Sequence, residues 1–89
     1  MNKLRRLVFE DQAWVQWQTF QKEFPKLAKK ATIFIGQMRQ EDPTVGLGKP
    51  EPLRYELSGL WSRRLDQKHR IVYSFDDKEL VIWAIGGHY

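Results

Sequence analysis

No cysteine occurs in the 89-residue chain, and there are only two histidines, His69 and His88. The lack of cysteine excludes disulfides and thiolate chemistry and fits a reducing compartment. Two imidazoles are too few for a histidine-rich metal site. Also missing is any apolar run near the roughly 20 residues that cross a bilayer. The segment from Met1 to Glu10 has no apolar core or cleavage site of the signal-peptide kind. No membrane partner is expected, and a cytoplasmic location is. Neither an internal repeat nor a low-complexity segment is present.

Aromatic residues, by contrast, are plentiful. Four Trp, five Phe and three Tyr supply apolar area to a chain short enough for one domain, residues 1–89. Fifteen Lys and Arg against eleven Asp and Glu give a net charge of +4, and the isoelectric point is about 9.6. Such a balance suits a polyanion partner, although many small basic domains bind no nucleic acid specifically.

Hydrophobic periodicity divides the chain in two. Leu4 to Phe9 reads as a first strand at a sheet edge, interrupted by Arg5 and Arg6. Asp11 is placed to cap the helix that follows. Trp14, Trp17, Phe20 and Phe24 recur at helical spacing, and such a stripe is more often core than a base-stacking platform. Pro25 ends that helix or opens a second one, whose stripe is Leu27, Ala31, Phe34, Ile35 and Met38. Glu41 to Pro52 holds three prolines and two glycines and reads as a loop. Short strands are then expected at Arg54–Leu57, Leu60–Leu65, His69–Phe75 and Glu79–Ile85, with turns at Ser58-Gly59 and Asp76-Asp77-Lys78. The last strand is apolar on both sides, as a central, doubly covered strand would be. The expected fold class is α+β, with two N-terminal helices on one face of a twisted, mainly antiparallel sheet of four or five strands.

Metal-free cleavage of RNA is one chemistry the second half could perform. It needs a base for the ribose 2′-hydroxyl, cations for the phosphorane, and an acid for the leaving 5′-oxygen. Glu51, between Pro50 and Pro52, is a candidate base or an ordinary exposed loop glutamate. Strand alternation sets Ser62 and Arg64 on one face of their strand, with Trp61, Arg63 and Leu65 on the other. Lys68, Arg70 and Val72 likewise lie opposite His69, Ile71 and Tyr73. Arg64 and Arg70 on one sheet face suit a phosphate clamp, or are surface arginines paired with aspartates. His88 is a candidate acid and Tyr89 a stacking or donating group, unless the terminus frays. His69, alternating with core positions, reads as a structural, hydrogen-bonded histidine.

Several segments together carry a resemblance. They are Gly48-Lys49-Pro50-Glu51-Pro52-Leu53, Leu57-Ser58-Gly59, Trp61-Ser62-Arg63-Arg64, His69-Arg70 before Val72-Tyr73, and the terminal His88-Tyr89. In this order and spacing the second half of the chain resembles the YoeB/Txe toxin family of the RelE/ParE superfamily. The resemblance implies a RelE-like fold and an mRNA endonuclease that works in the A site of the 70S ribosome without metal or other cofactor. It implies a cognate antitoxin as partner, and assembly as a homodimer or a toxin-antitoxin hetero-oligomer. Carried over by motif, Glu51 is the general base, Arg70 the phosphate-clamping arginine, and His88 the general acid with Tyr89 beside it. Lys49, Arg54 and Arg64 are the supporting phosphate- or RNA-binding cations. The chain departs from the family at Gly86-Gly87, where bulkier or basic residues are common. Two glycines there loosen the backbone before His88. Two other readings remain open from sequence: a ParE-like inhibitor of DNA gyrase that uses no acid–base pair, and a passive RNA-binding module.

Overall fold

In the computed structural model, which describes residues 4–87, strand β1 (Arg6–Phe9) is followed by helices α1 (Asp11–Glu23) and α2 (Pro25–Gln40). Then come β2 (Glu51–Pro52), a 3₁₀ turn (Tyr55–Leu57), β3 (Trp61–Arg64), β4 (His69–Phe75) and β5 (Glu79–Gly87). Asp11 does not cap α1. Glu10 holds the extended cap position without a side-chain bond, and Asp11 is the first helical residue, where its charge favours the helix N-terminus. Pro25 opens α2 at a position whose missing N–H removes no helical bond. Only Phe24 separates the helices.

Both helical stripes face the sheet, with one shift. Ala13 and Phe20 are buried while Trp14 is 50% exposed. Trp14 lies about 100° round the helix from Ala13 and rests edge-on against Phe9. Along α2, Ala28, Ala31, Phe34, Ile35 and Met38 are buried. They meet Leu65, just after β3, and Ile71, Tyr73, Leu80, Ile82 and Ile85 from the strands in one core. No helix of the described residues is long and apolar enough to cross a membrane.

The five strands run in the order β1-β5-β4-β3-β2. β1 is an edge strand, as its sequence suggests, and pairs parallel to β5, while the other pairings are antiparallel. β5 therefore has a strand on each side, but helices cover only one of its faces, and Val81 and Trp83 on the strand stay partly exposed. A bulge lies where Val72 pairs with Ala84 and Tyr73 with Ile82, leaving Trp83 unmatched. The extra residue resets the alternation, so that Leu80, Ile82 and Ile85 all reach the core. β1 pairs with β5 only as far as Ile82. Beyond it, Gln16 Oε1 accepts from the Ile85 N–H at 2.9 Å and Gln12 Nε2 donates to the Trp83 carbonyl at 3.2 Å. Helix α1 thereby blunts an edge that would otherwise expose backbone groups.

Two expectations fail around residue 50. The segment expected to be all loop ends in β2, which pairs with β3 through Glu51↔Ser62 and Pro52↔Trp61. Arg54 to Leu57 is not a strand. Leu53 N–H donates to Leu60 O, and the chain then tightens through Leu57 N–H to Arg54 O and Ser58 N–H to Tyr55 O. Leaving the sheet so early requires Tyr55 to adopt a left-handed φ of 58°, which side chains with a Cβ seldom do.

Candidate active site

Residues directly opposite in antiparallel strands point to the same face. The register therefore sets Glu51, Ser62, Val72 and Ala84 in one row, and Arg64, Arg70 and Gly86 in the next. These rows lie on the face turned away from the helices. Glu51 and Arg70, 19 residues apart, meet there, with Arg70 Nη1 donating to Glu51 Oε1 at 3.1 Å. Glu51 stands on β2 and Arg70 on β4, so their ion pair spans β3. Arg64 is the Cα partner of Arg70 and is exposed beside it. Adjacent to the pair is a cleft of about 420 Å³ lined by Leu53 and Leu57 from the turn, Gln67 and Lys68 from the β3–β4 connection, and Ser62, Arg70 and Val72 from the sheet. Lys49 and Arg54 flank Glu51 along the chain, and both are exposed. His88 and Tyr89 lie outside the described residues.

The backbone carrying Glu51 is fixed from behind. Arg63 is fully buried on the helix side of β3. Its guanidinium donates to Gln37 Oε1 at 2.6 Å and to the carbonyls of Pro43 at 3.0 Å, Val45 at 2.7 Å and Leu47 at 2.9 Å. Its Nε donates to the Tyr73 hydroxyl at 3.3 Å, and that hydroxyl donates to Pro43 O at 2.6 Å. Burial pushes the Tyr73 hydroxyl pKa up, against the opposing pull of Arg63. One arginine thus gathers the loop that leads into Lys49-Pro50-Glu51. At its end Arg64 N–H donates to Gly48 O at 2.7 Å. Gly48 has φ +80°, and a Cβ there would stand 2.6 Å from Phe34 Cε2 and 2.8 Å from Arg64 O, so only glycine fits.

Gly86-Gly87 is not a slack hinge. Both residues belong to β5, opposite Arg70 and His69. Gly86 has φ +132°, and a Cβ on Gly87 would lie 3.3 Å from Lys68 O. Glycine here answers a backbone requirement. His69 is held as its alternation suggests. Its Nδ1 lies 2.9 Å from Asp66 Oδ1, and its ring packs on Phe20 and Phe24. Asp66 also accepts from the N–H groups of Lys68 at 2.8 Å and His69 at 2.7 Å. Burial opposes the charged form of Asp66, but these bonds outweigh it and hold the carboxyl below its usual pKa.

Glu51, Arg64 and Arg70 are thus brought together, with Lys49 and Arg54 on the flanks. Sequence reasoning passed over Ser62, which is 1% exposed and whose Oγ has no hydrogen-bond partner. Alternation alone places it on the face of Arg64. Its position between Glu51 and Val72 follows only from the pairing register.

Comparison with known proteins extends the geometry. Residues 9–89 match the family model of the YoeB-like toxin of bacterial type II toxin-antitoxin systems. The chain is 42% identical to toxin YoeB of Mycobacterium bovis over 97% of its own length and all of the relative's. Its fold is similar to the YoeB dimer from Staphylococcus aureus, with a TM-score of 0.87 at 33% identity, covering 96% of this chain and 98% of that one. A chain of the YoeB-YefM complex from Staphylococcus aureus superposes with a TM-score of 0.86, at 33% identity, covering 96% of this chain and 98% of that one.

Proposed function

The chain belongs to the YoeB-like toxins of bacterial type II toxin-antitoxin systems, and from that premise we propose that it is a ribosome-dependent mRNA endoribonuclease that inhibits translation. The observation that carries the proposal is the contact of Glu51 with Arg70 at 3.1 Å on an open, cation-flanked sheet face. A carboxylate able to take a proton and a guanidinium able to hold a phosphate stand side by side, as strand cleavage requires.

In the proposed mechanism, Glu51 removes the proton of the ribose 2′-hydroxyl. The 2′-oxygen attacks the adjacent phosphorus, and Arg70, Arg54 and Arg64 stabilise the negative charge on the phosphorane. His88 gives its proton to the departing 5′-oxygen, with Tyr89 and Lys49 holding the neighbouring nucleotides. The products are a 2′,3′-cyclic phosphate and a 5′-hydroxyl. All groups named belong to a single domain, residues 1–89. The ribosomal A site supplies the orientation of the mRNA, which converts a random encounter into a positioned one. A cognate antitoxin, as in the YoeB-YefM complex of the relative, is the regulatory partner, and assembly is a homodimer or a toxin-antitoxin hetero-oligomer.

The test is in vitro translation with primer-extension mapping of mRNA ends, with and without ribosomes, for the wild type, Glu51→Gln and His88→Ala. Discrete cuts at A-site codons that need ribosomes are expected, with each variant slower by about 10²- to 10⁴-fold. Intact mRNA in every lane would overturn the nuclease reading. Growth arrest that persisted in both variants would point to a gyrase inhibitor of the ParE kind.

A further inference from the structure

The hydroxyl of Ser62 is an anomaly in an otherwise well-satisfied interior. It is buried, and it is the one such side-chain atom without a hydrogen-bond partner among the described residues. Its neighbour Arg63 shows the opposite treatment, with every bond directed at a carbonyl or side-chain oxygen. A buried hydroxyl left unpaired bears its whole desolvation penalty, and an alanine would occupy the same space without it. Such a group in a native protein asks for an explanation.

The position of Ser62 supplies one. Its Cα partners are Glu51 on one side and Val72 on the other, and it lines the cleft beside Arg70. The Glu51–Arg70 ion pair joins β2 to β4 and must cross β3 on the face that carries Ser62. Whatever parts that ion pair opens the face of β3 on which Ser62 lies. An RNA phosphodiester, on the nuclease reading, does so when one of its oxygens takes Arg70.

We infer that Ser62 is a further catalytic residue of the site: its hydroxyl donates a hydrogen bond to a non-bridging oxygen of the scissile phosphate once the ion pair opens. This inference rests on the nuclease reading and adds a neutral donor to its cations. The non-bridging oxygens gain charge as the phosphorane forms, so the bond strengthens in the transition state and acts mainly on the cleavage rate. A donor held ready by the sheet needs little reorganisation to act.

The experiment is single-turnover cleavage of mRNA on programmed ribosomes by the wild type and Ser62→Ala. It is paired with thermal unfolding and with binding of a 2′-O-methyl oligoribonucleotide, which cannot be cut. Ser62→Ala is expected to cleave about 10- to 100-fold more slowly, at or below the loss of one oxyanion donor. Its affinity for the uncleavable RNA should fall about two- to tenfold, the scale of one neutral hydrogen bond. Its Tm should be unchanged or raised, because an unpaired buried hydroxyl has been removed. Cleavage at the wild-type rate would overturn the inference and leave the nuclease reading intact. A lowered Tm would also overturn it, since the hydroxyl would then have a structural partner. Absence of cleavage by the wild type overturns the nuclease reading, and equal RNA affinity of the two proteins then removes Ser62 as a phosphate ligand as well.

Discussion

Arg63 sits one residue from Ser62 and Arg64 in sequence, yet on the opposite side of β3, and its task is different. With no exposure and bonds to Gln37, Pro43, Val45, Leu47 and Tyr73, it is a cation solvated by a loop instead of by water. Replacing it with methionine keeps most of the apolar stem but takes a donor from two buried acceptors, Pro43 O and the Tyr73 hydroxyl, and a buried polar group left unsatisfied costs about 1–3 kcal/mol. Arg63→Met is expected to lose at least ~2 kcal/mol in urea unfolding, a large share of a small domain's total. It should also slow cleavage, because the loop that carries Glu51 is no longer gathered. An unchanged urea midpoint would show that water replaces the guanidinium at no cost. Sequence alone set Arg63 apart from Arg64 by alternation. It did not reveal a buried ligand for loop carbonyls, because those acceptors lie on Pro43 to Leu47, a segment with no periodic signal.

Among the elements, the two longest hairpin strands begin alike. Asp66 accepts from the N–H groups of residues two and three ahead, Lys68 and His69, just before β4. Asp76 accepts from Lys78 and Glu79, both at 2.8 Å, at the start of β5. These bonds hold the Asp76 carboxyl below its usual value of 3.8, and Asp66 is lowered as well, its hydrogen bonds outweighing the opposing desolvation. A carboxyl with a depressed folded pKa stabilises the fold above its unfolded pKa, and that stability is lost as pH falls through the folded value. Urea midpoints should therefore drop as pH falls from about 5 to about 2. Asp76→Asn, which still accepts but does not titrate there, should show a shallower drop. A wild-type midpoint constant over that interval would contradict the turn assignment. The same turn chemistry made the end of this region legible: the Asp76-Asp77-Lys78 break after a run of Ile, Val, Tyr and Phe closes β4, which spans His69–Phe75 in sequence and structure alike. Glu51–Pro52 and Tyr55–Leu57 were not legible. A two-residue strand has no period, and the tight turn depends on Tyr55 entering a conformation its side chain disfavours.

At the scale of the whole molecule, strand order does what residue spacing cannot express. Glu51 and Arg70 become neighbours because β2 and β4 both pair with β3, and nothing in a separation of 19 residues announces it. The segments that resemble the toxin family named both residues, while the register explains why they meet. The placement of the helices on one face leaves the other to the cations. On the proposed nuclease reading, the net charge of +4 adds a long-range pull on RNA that salt screens. Substrate attraction and substrate seating are therefore separate properties, the first diffuse and the second local to a few side chains.

On the proposed nuclease reading, the ion pair over β3 makes RNA binding an exchange of anions. Arg70 at rest already holds a carboxylate, so a phosphate must displace an internal competitor tethered permanently beside it. An exposed pair of this kind is worth about 0.2–1 kcal/mol, which corresponds to a competition of about 1.5- to 5-fold in affinity. Glu51→Gln should accordingly bind an uncleavable 2′-O-methyl oligoribonucleotide more tightly than the wild type, by up to that factor, while losing cleavage. Equal or weaker binding in a fluorescence anisotropy titration would mean that the carboxylate does not compete. If the exchange holds, the side chain that makes the site reactive is also the one that keeps its grip on RNA loose, and product leaves against a replacement already at hand.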